Sequence, residues 1–361
     1  MFHTQQILLE KDYHKLEIRG GPTIQPVNNQ IKMEFKFMIR DVSLIIPSRN
    51  AEKNLFKLLR CIPDWDIIPK EIIIVDSSDD KLIIPNYFNI FVKNNNIKLS
   101  IIYGKSLYPG HARNIGINSS NNNLIAFLDT STIPKRTWLS SGLEIVSTQN
   151  SAGVWGKTYY DADKFLAKIY RASTFGNKPI KTFPGSILKK NVFNRCGLFI
   201  ETTRAGEDGD WISRSIVHGL NISITNEFLN YGELNEVNAQ QILKKWFRNY
   251  THSSQLPYSK AHKDFYYYGI SFLAVLVAFN WNAVLASWDS ESILYLPNIT
   301  KISILILLIS YILIRGIFIP RRKGVSLKFI FPINFIFISF FSGVLDFVKV
   351  LAFAFGKFKK R

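Results

Sequence analysis

The sequence predicts an α/β open sheet followed by helices that lie in or on a membrane. Between residues 41 and 235, short β-rich apolar runs alternate with helical patterns, which is typical of an α/β layer. Beyond residue 260, long stretches are apolar and nearly free of charge, and basic residues flank them. A chain of 361 residues has room for both parts, and residues 1–40 are expected to form a polar N-terminal arm.

The sheet part begins with a strand and an amphipathic helix. The strand is predicted at 42–46, and the apolar face of the helix follows at helical spacing: Leu55, Leu58, Leu59 and Ile62. Further strands are predicted at 71–75, 97–102 and 124–128, with a helix at 110–120. These strands are almost continuously apolar, so we expect both faces of the sheet to be covered.

Polar residues come directly after three of these strands. They are Pro47–Asn50, Asp76–Asp80 and Asp129. Each alone is typical of a helix cap or an Asx turn. Because ligands of open α/β sheets bind outside the carboxyl ends of the strands, the three together predict a site.

Three apolar segments are predicted in the membrane region, at about 265–288, 302–319 and 329–345. The basic run Arg321–Lys323 should face the cytoplasm, so the catalytic part should too. A third full crossing would export the basic tail at 356–361. We therefore expect the amphipathic stretch from about Gly343 onward to be re-entrant or to lie in the interface.

The formal net charge of +18 favours an anionic partner such as a phosphorylated substrate or an acidic membrane surface. The sequence shows no nucleic-acid recognition motif, so nucleic acid is not an expected partner. Cys61 and Cys196 form neither a zinc pattern nor a disulfide framework, which favours a reducing compartment. The absence of an apolar run near Met1 predicts that there is no signal peptide.

Four blocks, in order and with normal spacing, resemble the family 2 glycosyltransferases. The blocks are VSLIIPSRNAEKNLFKLLRCI, EIIIVDSSDD, YPGHARNIGINSSNNNLIAFLDTSTIPKRTWL and GEDGDWISRSIVHGL. The resemblance covers roughly residues 41–230. It implies the GT-A fold, a Rossmann-like open sheet with flanking helices, and inverting transfer of a sugar from a nucleoside diphosphate sugar.

The resemblance implies that the donor base lies at the first two strand ends. The residues implied for the base pocket follow the first strand: Pro47, Ser48, Asn50 and Glu52. After the second strand, Asp76 would accept hydrogen bonds from the ring N–H of the base. The alternative for Asp76 is an ordinary turn carboxylate.

A second set of residues is implied for the diphosphate and the sugar. Arg113 would reach the base or the diphosphate, since its planar fork matches phosphate oxygens. Where the family's Asp-x-Asp holds a metal, this chain has Asp129, Thr130 and Ser131. We expect Asp129 to hold Mg²⁺ or Mn²⁺ weakly, with the Ser131 hydroxyl or a water as second ligand. The alternative is a metal-independent enzyme in which lysines and arginines supply the charge, and Gly185 is expected to border the donor sugar.

The resemblance also implies a catalytic pair at Glu207 and Asp208, with Asp208 as the general base. The competing explanation is structural, because acidic side chains in the first turn of a helix are stabilised by its dipole. That explanation accounts well for Glu207 and Asp210 and leaves catalysis by Asp208 open.

Residues 236–263 are predicted to form an amphipathic interfacial linker. The stretch QQILKKWFRNY matches the Gln-x-x-Arg-Trp of processive polysaccharide synthases poorly, which argues against a chain-extending enzyme. It is more typical of a basic helix on the membrane with Trp246, Phe247 and Tyr250 at the interface.

The sequence thus predicts a multi-pass membrane glycosyltransferase with a cytoplasmic catalytic domain at 41–235 and a membrane region at 264–361. The expected acceptor is a lipid-linked or membrane-proximal glycan hydroxyl, in envelope, exopolysaccharide or glycolipid synthesis. One alternative is a polyprenyl-phosphate sugar synthase. Another is a non-catalytic membrane protein that binds nucleotide through a decayed GT-A domain.

Overall fold

The computed structural model describes residues 23–27, 30–34, 38–257 and 261–359. The chain divides into two units, Met1–Met38 and Ile39–Arg361. In the first unit, β1 (Thr23–Val27) and β2 (Gln30–Glu34) form an antiparallel hairpin. The predicted polar arm over residues 1–40 otherwise lies almost entirely outside the described residues.

The second unit is built on a nine-stranded mixed sheet with flanking helices. Its strands are β3 (Met38–Ser48), β4 (Ile67–Asp76), β5 (Lys98–Tyr103), β6 (Leu124–Phe127), β7 (Thr132–Pro134), β8 (Gly153–Tyr160), β9 (Ile180–Lys189), β10 (Ile222–Ile224) and β11 (Leu229–Tyr231). Their order is β5-β4-β3-β6-β9-β8-β11-β7, and β10 pairs with β8. The pairs β4–β5 and β3–β6 are parallel, whereas β9 runs antiparallel to β6 and β8. The predicted α/β open sheet is confirmed.

Eight helices accompany the sheet in the described residues. They are α1 (Glu52–Cys61), α2 (Asn86–Asn94), α3 (Pro109–Ser119), α4 (Trp138–Thr148), α5 (Phe165–Ser173), α6 (Val192–Cys196), α7 (Glu207–Val217) and α8 (Ala239–Ser253). Helix α1 buries the predicted apolar face, and α3 begins with Pro109 at a position where the missing N–H is tolerated.

Six more helices follow α8. They are α9 (Ala261–Phe279), α10 (Trp281–Leu285), α11 (Ile299–Tyr311), α12 (Ile319–Arg322), α13 (Leu327–Ile330) and α14 (Asn334–Lys359). A π-helical stretch at Ile312–Phe318 joins α11 to α12. Among the described residues, two helical stretches are long and apolar enough to cross a membrane, Ile299–Arg322 and Asn334–Lys359. The first apolar segment, expected at about 265–288, is divided between α9 and α10.

An aromatic core lies beneath α7 and fixes the start of that helix. Phe183 meets Phe199 edge-on at 4.9 Å and Trp211 at 5.6 Å between ring centroids. Trp211 is completely buried, and its indole N–H donates to the Gly197 carbonyl at 2.9 Å. Such edge-to-face pairs add to the free energy gained by burial. The core therefore holds α7 rigidly, and with it the carboxylates of its first turn.

Helix α14 packs along the sheet unit for most of its length. Its Ile338 joins a cluster with Ile169 of α5, and Leu345 joins one with Tyr170 of α5 and Ile242 of α8. The span from Ile338 to Gly356 corresponds to about 27 Å of helix. The opposite face of α14 exposes large apolar side chains: Phe340, Phe347, Leu351 and Phe358.

The helix α14 continues past the charged residues at which the apolar run of the sequence ends. There Asp346 pairs with Arg315 of the π-helical stretch at 2.9 Å and with Lys349 at 3.0 Å. The Tyr311 hydroxyl also donates to Asp346, at 3.2 Å. Because its charge is matched from two sides, Asp346 is accommodated inside the helix.

Candidate active site

The carboxyl ends of the central strands meet at one edge of the sheet. Strand β3 ends at Ser48, and the Ser48 carbonyl accepts from the Ser77 N–H, just after β4, at 2.9 Å. Asp129 follows β6, which pairs with β3 in parallel. A cleft of about 520 Å³ opens at this edge. Its lining comes from five strand-end or loop segments and from the three helices α3, α7 and α8: Pro47, Ser48, Arg49, Ser77, Leu107, Tyr108, Pro109, Ala112, Arg113, Asp129, Thr130, Ser131, Arg204, Ala205, Gly206, Glu207, Asp208, Lys245, Arg248 and Asn249.

Arg113 joins two of the cleft's carboxylates. Its Nη1 donates to Glu207 Oε1 at 2.6 Å, and its Nη2 donates to Asp129 Oδ1 at 3.0 Å. The side chains of Arg113 and Glu207 are 4% and 6% exposed, whereas that of Asp129 is 38% exposed. One buried guanidinium therefore fixes a buried carboxylate and a carboxylate that is open to the cleft.

The carboxyl of Glu207 has a perturbed acidity. Burial, followed by repulsion from Asp208, raises the pKa of Glu207 to about 7, although Arg113 acts in the opposite direction. For Arg113, the charges of Asp129 and Glu207 outweigh burial and raise the pKa above its ordinary value. The Arg113–Glu207 pair is therefore stabilised by the short hydrogen bond between the two groups and by the positive charge of the arginine.

Asp208 lines the cleft from the first turn of α7. Its Oδ1 accepts from the Gly209 N–H at 2.7 Å, and the side chain is only half-buried. The preceding Gly206 has φ +90°, in the left-handed region that favours glycine. A Cβ there would lie 2.7 Å from Ser253 Oγ of α8. The close approach of α8 therefore accounts for glycine directly before the acidic pair.

Several cations face the same cleft. Arg49 follows β3, Arg204 precedes α7, and Lys245 and Arg248 project from α8. The Lys245 ammonium donates to the Tyr231 hydroxyl at 3.2 Å. Together with Arg113 they give the cleft the charge that suits a phosphorylated ligand.

The structure brings most of the predicted site residues together. Those that line the cleft are Pro47, Ser48, Arg113, Asp129, Ser131, Glu207 and Asp208. The Ser48 hydroxyl is buried and has no hydrogen-bond partner among the described residues. An unpaired buried hydroxyl at a cleft wall is available to a polar ligand.

Four predicted residues are not among the lining residues of this cleft. Asp76 is buried and accepts from the Ser78 hydroxyl at 2.7 Å, and Asn50 donates to Asp79 at 2.8 Å. Glu52 is exposed in the first turn of α1, and the Gly185 carbonyl accepts from Trp138 Nε1 at 3.0 Å. In this structure the polar groups of Asp76, Asn50 and Gly185 form hydrogen bonds within the loops and strands around the cleft.

The sequence did not indicate that α8 supplies cleft residues. Lys245, Arg248 and Asn249 are spaced i, i+3 and i+4, so they share one face of the helix. Of the residues expected at the membrane interface, Trp246 has partners in the protein: its Nε1 donates to the Tyr170 hydroxyl at 2.8 Å, and the Lys349 ammonium lies 4.8 Å from its ring. Phe247 is 37% exposed. In the sequence, the i, i+3 spacing of Lys245 and Arg248 was the one signal that these cations share a face of the helix.

Few side chains in the cleft could act as ligands of a divalent metal. No group of three or more His, Cys, Asp or Glu side chains could hold a metal within the described ranges. A single carboxylate with phosphate oxygens and water suffices for Mg²⁺, and Asp129 and Ser131 share the cleft. The residues present therefore fit an ion held jointly with a phosphate ligand and do not form a preformed cage.

Comparisons with known proteins identify the domain. A family model described as glycosyl transferase family 2 matches residues 43–201. Glycosyltransferase AglE of Haloferax volcanii is 27% identical over 230 residues, covering 57% of this chain and 71% of that protein.

Two solved structures are among those similar to this chain, each with a TM-score below 0.5. TarS of S. aureus has a TM-score of 0.41 and 16% identity over 79% of this chain, which spans about half (53%) of that longer chain. Mannosyltransferase PcManGT from Pyrobaculum calidifontis, solved with GDP-Man and Mn²⁺, has a TM-score of 0.45 and 13% identity over 86% of this chain and 87% of that one. On the family match and the curated relative, the protein is a glycosyltransferase whose residues 43–201 form a family 2 domain.

Proposed function

We propose that the enzyme transfers a sugar, with inversion, from a nucleoside diphosphate sugar to a hydroxyl of a lipid-linked or membrane-proximal acceptor. The observation that carries this proposal is the cleft that joins Asp129 and Asp208 with five cations at the carboxyl edge of the sheet. Such a transferase serves envelope, exopolysaccharide or glycolipid synthesis. Its identification as a glycosyltransferase argues against the non-catalytic alternative.

The leaving diphosphate needs positive charge. Arg113 is fixed by Glu207 and Asp129, so it presents its charge without reorganisation. Lys245 and Arg248 add charge from α8. A divalent metal, when bound at Asp129 with Ser131, would neutralise further negative charge on the diphosphate.

Asp208 serves as the general base. The acceptor oxygen attacks the anomeric carbon while its proton passes to the Asp208 carboxylate. The bond from the anomeric carbon to the diphosphate oxygen breaks, and that oxygen keeps the electron pair. Asp208 suits this role because it is partly open to the cleft, whereas Glu207 is buried on Arg113.

A test replaces Asp208 with asparagine and follows free nucleoside diphosphate across a panel of donors, with and without Mg²⁺ or Mn²⁺. Loss of a general base lowers the rate by about 10²–10⁴-fold. The exposed Asp64→Asn, outside the cleft lining, is the matched control and should keep its activity. If Asp208→Asn retains wild-type transfer, the hydroxyl-acceptor assignment is wrong.

The cations favour one second candidate, a polyprenyl-phosphate sugar synthase. A phosphate acceptor is already anionic and requires no general base. In that case Asp208→Asn would leave transfer largely intact, with the lipid phosphate itself glycosylated. The two candidates therefore differ in the product and in the response to one substitution.

The proposed membrane arrangement is multi-pass with a cytoplasmic catalytic domain. Ile299–Arg322 would cross, together with the apolar stretch at about 265–288 that the sequence predicts. Helix α14 would lie in the interface, although it is long enough to cross, because one of its faces is buried along the sheet unit. Its exposed face, with Phe340, Phe347 and Phe358, would enter the acyl boundary. A reporter fused after Arg361 should read cytoplasmic, and a signal from the far side of the membrane would contradict this arrangement.

A further inference from the structure

An apolar groove of about 720 Å³ lies between α9 and α14, outside the cleft described above. Phe265 and Phe353 stack in its wall with ring centroids 4.4 Å apart, and Gly269 and Leu273 continue the wall along α9. Among the described residues that line it, Lys357 carries the one charge. The groove has the volume and the apolar lining that suit a hydrocarbon chain.

A group of cations lies next to this groove. Lys359 follows Lys357 by two residues on α14, and Arg248 and His252 lie about one turn apart on α8. The segment just after α8 contacts α14 here, since Gln255 Nε2 donates to the Gly356 carbonyl at 3.3 Å. Burial, followed by the charges of Arg248, Lys359 and Arg204, lowers the pKa of His252. No ion pair with a carboxylate joins Arg204, Arg248, Lys357 or Lys359 in the part of the chain that the structure describes.

The cations connect the groove to the active site. Gly356, beside Lys357, packs directly on Thr251 of α8 and on Ser254 just after it, where a Cβ would clash. The last turn of α8 in turn approaches Gly206, the residue before the catalytic pair. Arg204 and Arg248 line the cleft itself. The end of α8 therefore contacts both the α14 segment beside the groove and the loop that begins the cleft's acidic pair, and cations lie on both sides of it.

A ligand that fits both surfaces has a hydrocarbon chain with an anionic group at its end. We propose that the acceptor is carried by a lipid phosphate, with its chain in the groove and its phosphate held by Lys357, Arg248 and Arg204. The acceptor hydroxyl lies beyond the phosphate, towards Asp208. This inference rests on the proposed function and adds the acceptor class to it.

The experiment measures binding of farnesyl phosphate to the full chain in detergent. Farnesyl phosphate should bind at least about tenfold more tightly than farnesol or inorganic phosphate, because each lacks one of the two contacts. Leu273→Trp fills the groove and should weaken binding about tenfold. Leu276→Trp on the same helix is exposed and outside the groove lining, so its affinity should be unchanged.

The cations are tested separately. Arg204→Gln and Lys357→Gln are exposed and should fold normally, and each should weaken binding about tenfold. Lys301→Gln, an exposed lysine of α11, is the control. Equal affinity for farnesol, or no effect of any groove or cation variant, would overturn the proposal. Displacement of farnesyl phosphate by an equal concentration of phosphatidylglycerol would overturn it as well. That result would show that the groove binds membrane lipids in general.

Donor chemistry in the same preparation separates this inference from the proposed function. Slow hydrolysis of a nucleoside diphosphate sugar by water requires no lipid, so Leu273→Trp should hydrolyse it at the wild-type rate. Donor hydrolysis without farnesyl phosphate binding would refute the lipid-phosphate acceptor alone. Failure of the wild-type protein to bind or hydrolyse any donor would refute the proposed function.

Discussion

The buried arginine bridge predicts a large and pH-dependent loss of stability when Arg113 is removed. Arg113→Met keeps much of the packing against Phe183 and Phe199, whose ring centroids lie 5.5 and 5.6 Å from the guanidinium carbon. It leaves the Glu207 carboxylate buried without a cation. Removing one partner of a buried ion pair typically costs about 3–5 kcal/mol. Asp129 is 38% exposed, so water compensates most of its loss.

The expected loss in unfolding free energy is therefore about 3–5 kcal/mol at pH 8. It should be smaller at pH 5, because Glu207 without Arg113 takes up a proton instead of remaining charged. Guanidinium titration in detergent, followed by tryptophan fluorescence, measures both values. The control is Lys70→Met, whose pair with Asp41 is 59% and 77% exposed and should contribute at most about 1 kcal/mol.

A double variant tests the cause of the loss. Adding Glu207→Gln to Arg113→Met removes the stranded charge, so the double variant should be more stable at pH 8 than Arg113→Met alone. The reasoning is refuted if Arg113→Met loses equal stability at both pH values, or if the two substitutions add without rescue.

Two further predictions concern the same carboxylates. Asp129→Ala should abolish transfer and Ser131→Ala should only weaken it, as measured by the Mg²⁺ concentration needed for half-maximal rate; a silent Asp129→Ala would refute the metal role. The raised pKa of Glu207 means that the folded state binds a proton which the unfolded chain releases, so this group's contribution to stability falls as pH rises from about 4 to about 7. Glu207→Gln should remove that fall, so unfolding midpoints at pH 5 and pH 8 should lie closer together than in wild type, and an unchanged gap would contradict the assigned shift.

The strand ends could be predicted from sequence because their geometry is local and repetitive. Apolar runs define the strands, and the parallel arrangement of β3 and β6 brings Ser48 and Asp129 to one edge. The bridge from Arg113 to Glu207 was not predictable from spacing, since it joins residues 94 positions apart. Only the packing of α3 against α7 brings these two side chains together.

The basic helix α8 shows why the remaining cleft residues were missed. An amphipathic helix with cations on one face and aromatics on another suits a membrane surface or a charged cleft equally well. The choice depends on α14, a helix about 100 residues later, which packs against the aromatic face through Lys349 and Phe355. Lys245 and Arg248 are then left facing the cleft.

The position of α14 also constrains the order in which this enzyme can be completed during synthesis. Every residue that lines the cleft precedes position 250, so the whole constellation leaves the ribosome before α14 exists. Until α14 docks, the apolar faces of α5 and α8 that it buries, including Tyr170 and Ile242, have no cover. A chain that stops at residue 260 thus carries all the cleft residues, yet we expect it to aggregate. We therefore expect the cleft to become stable only after α14 has docked on α5 and α8.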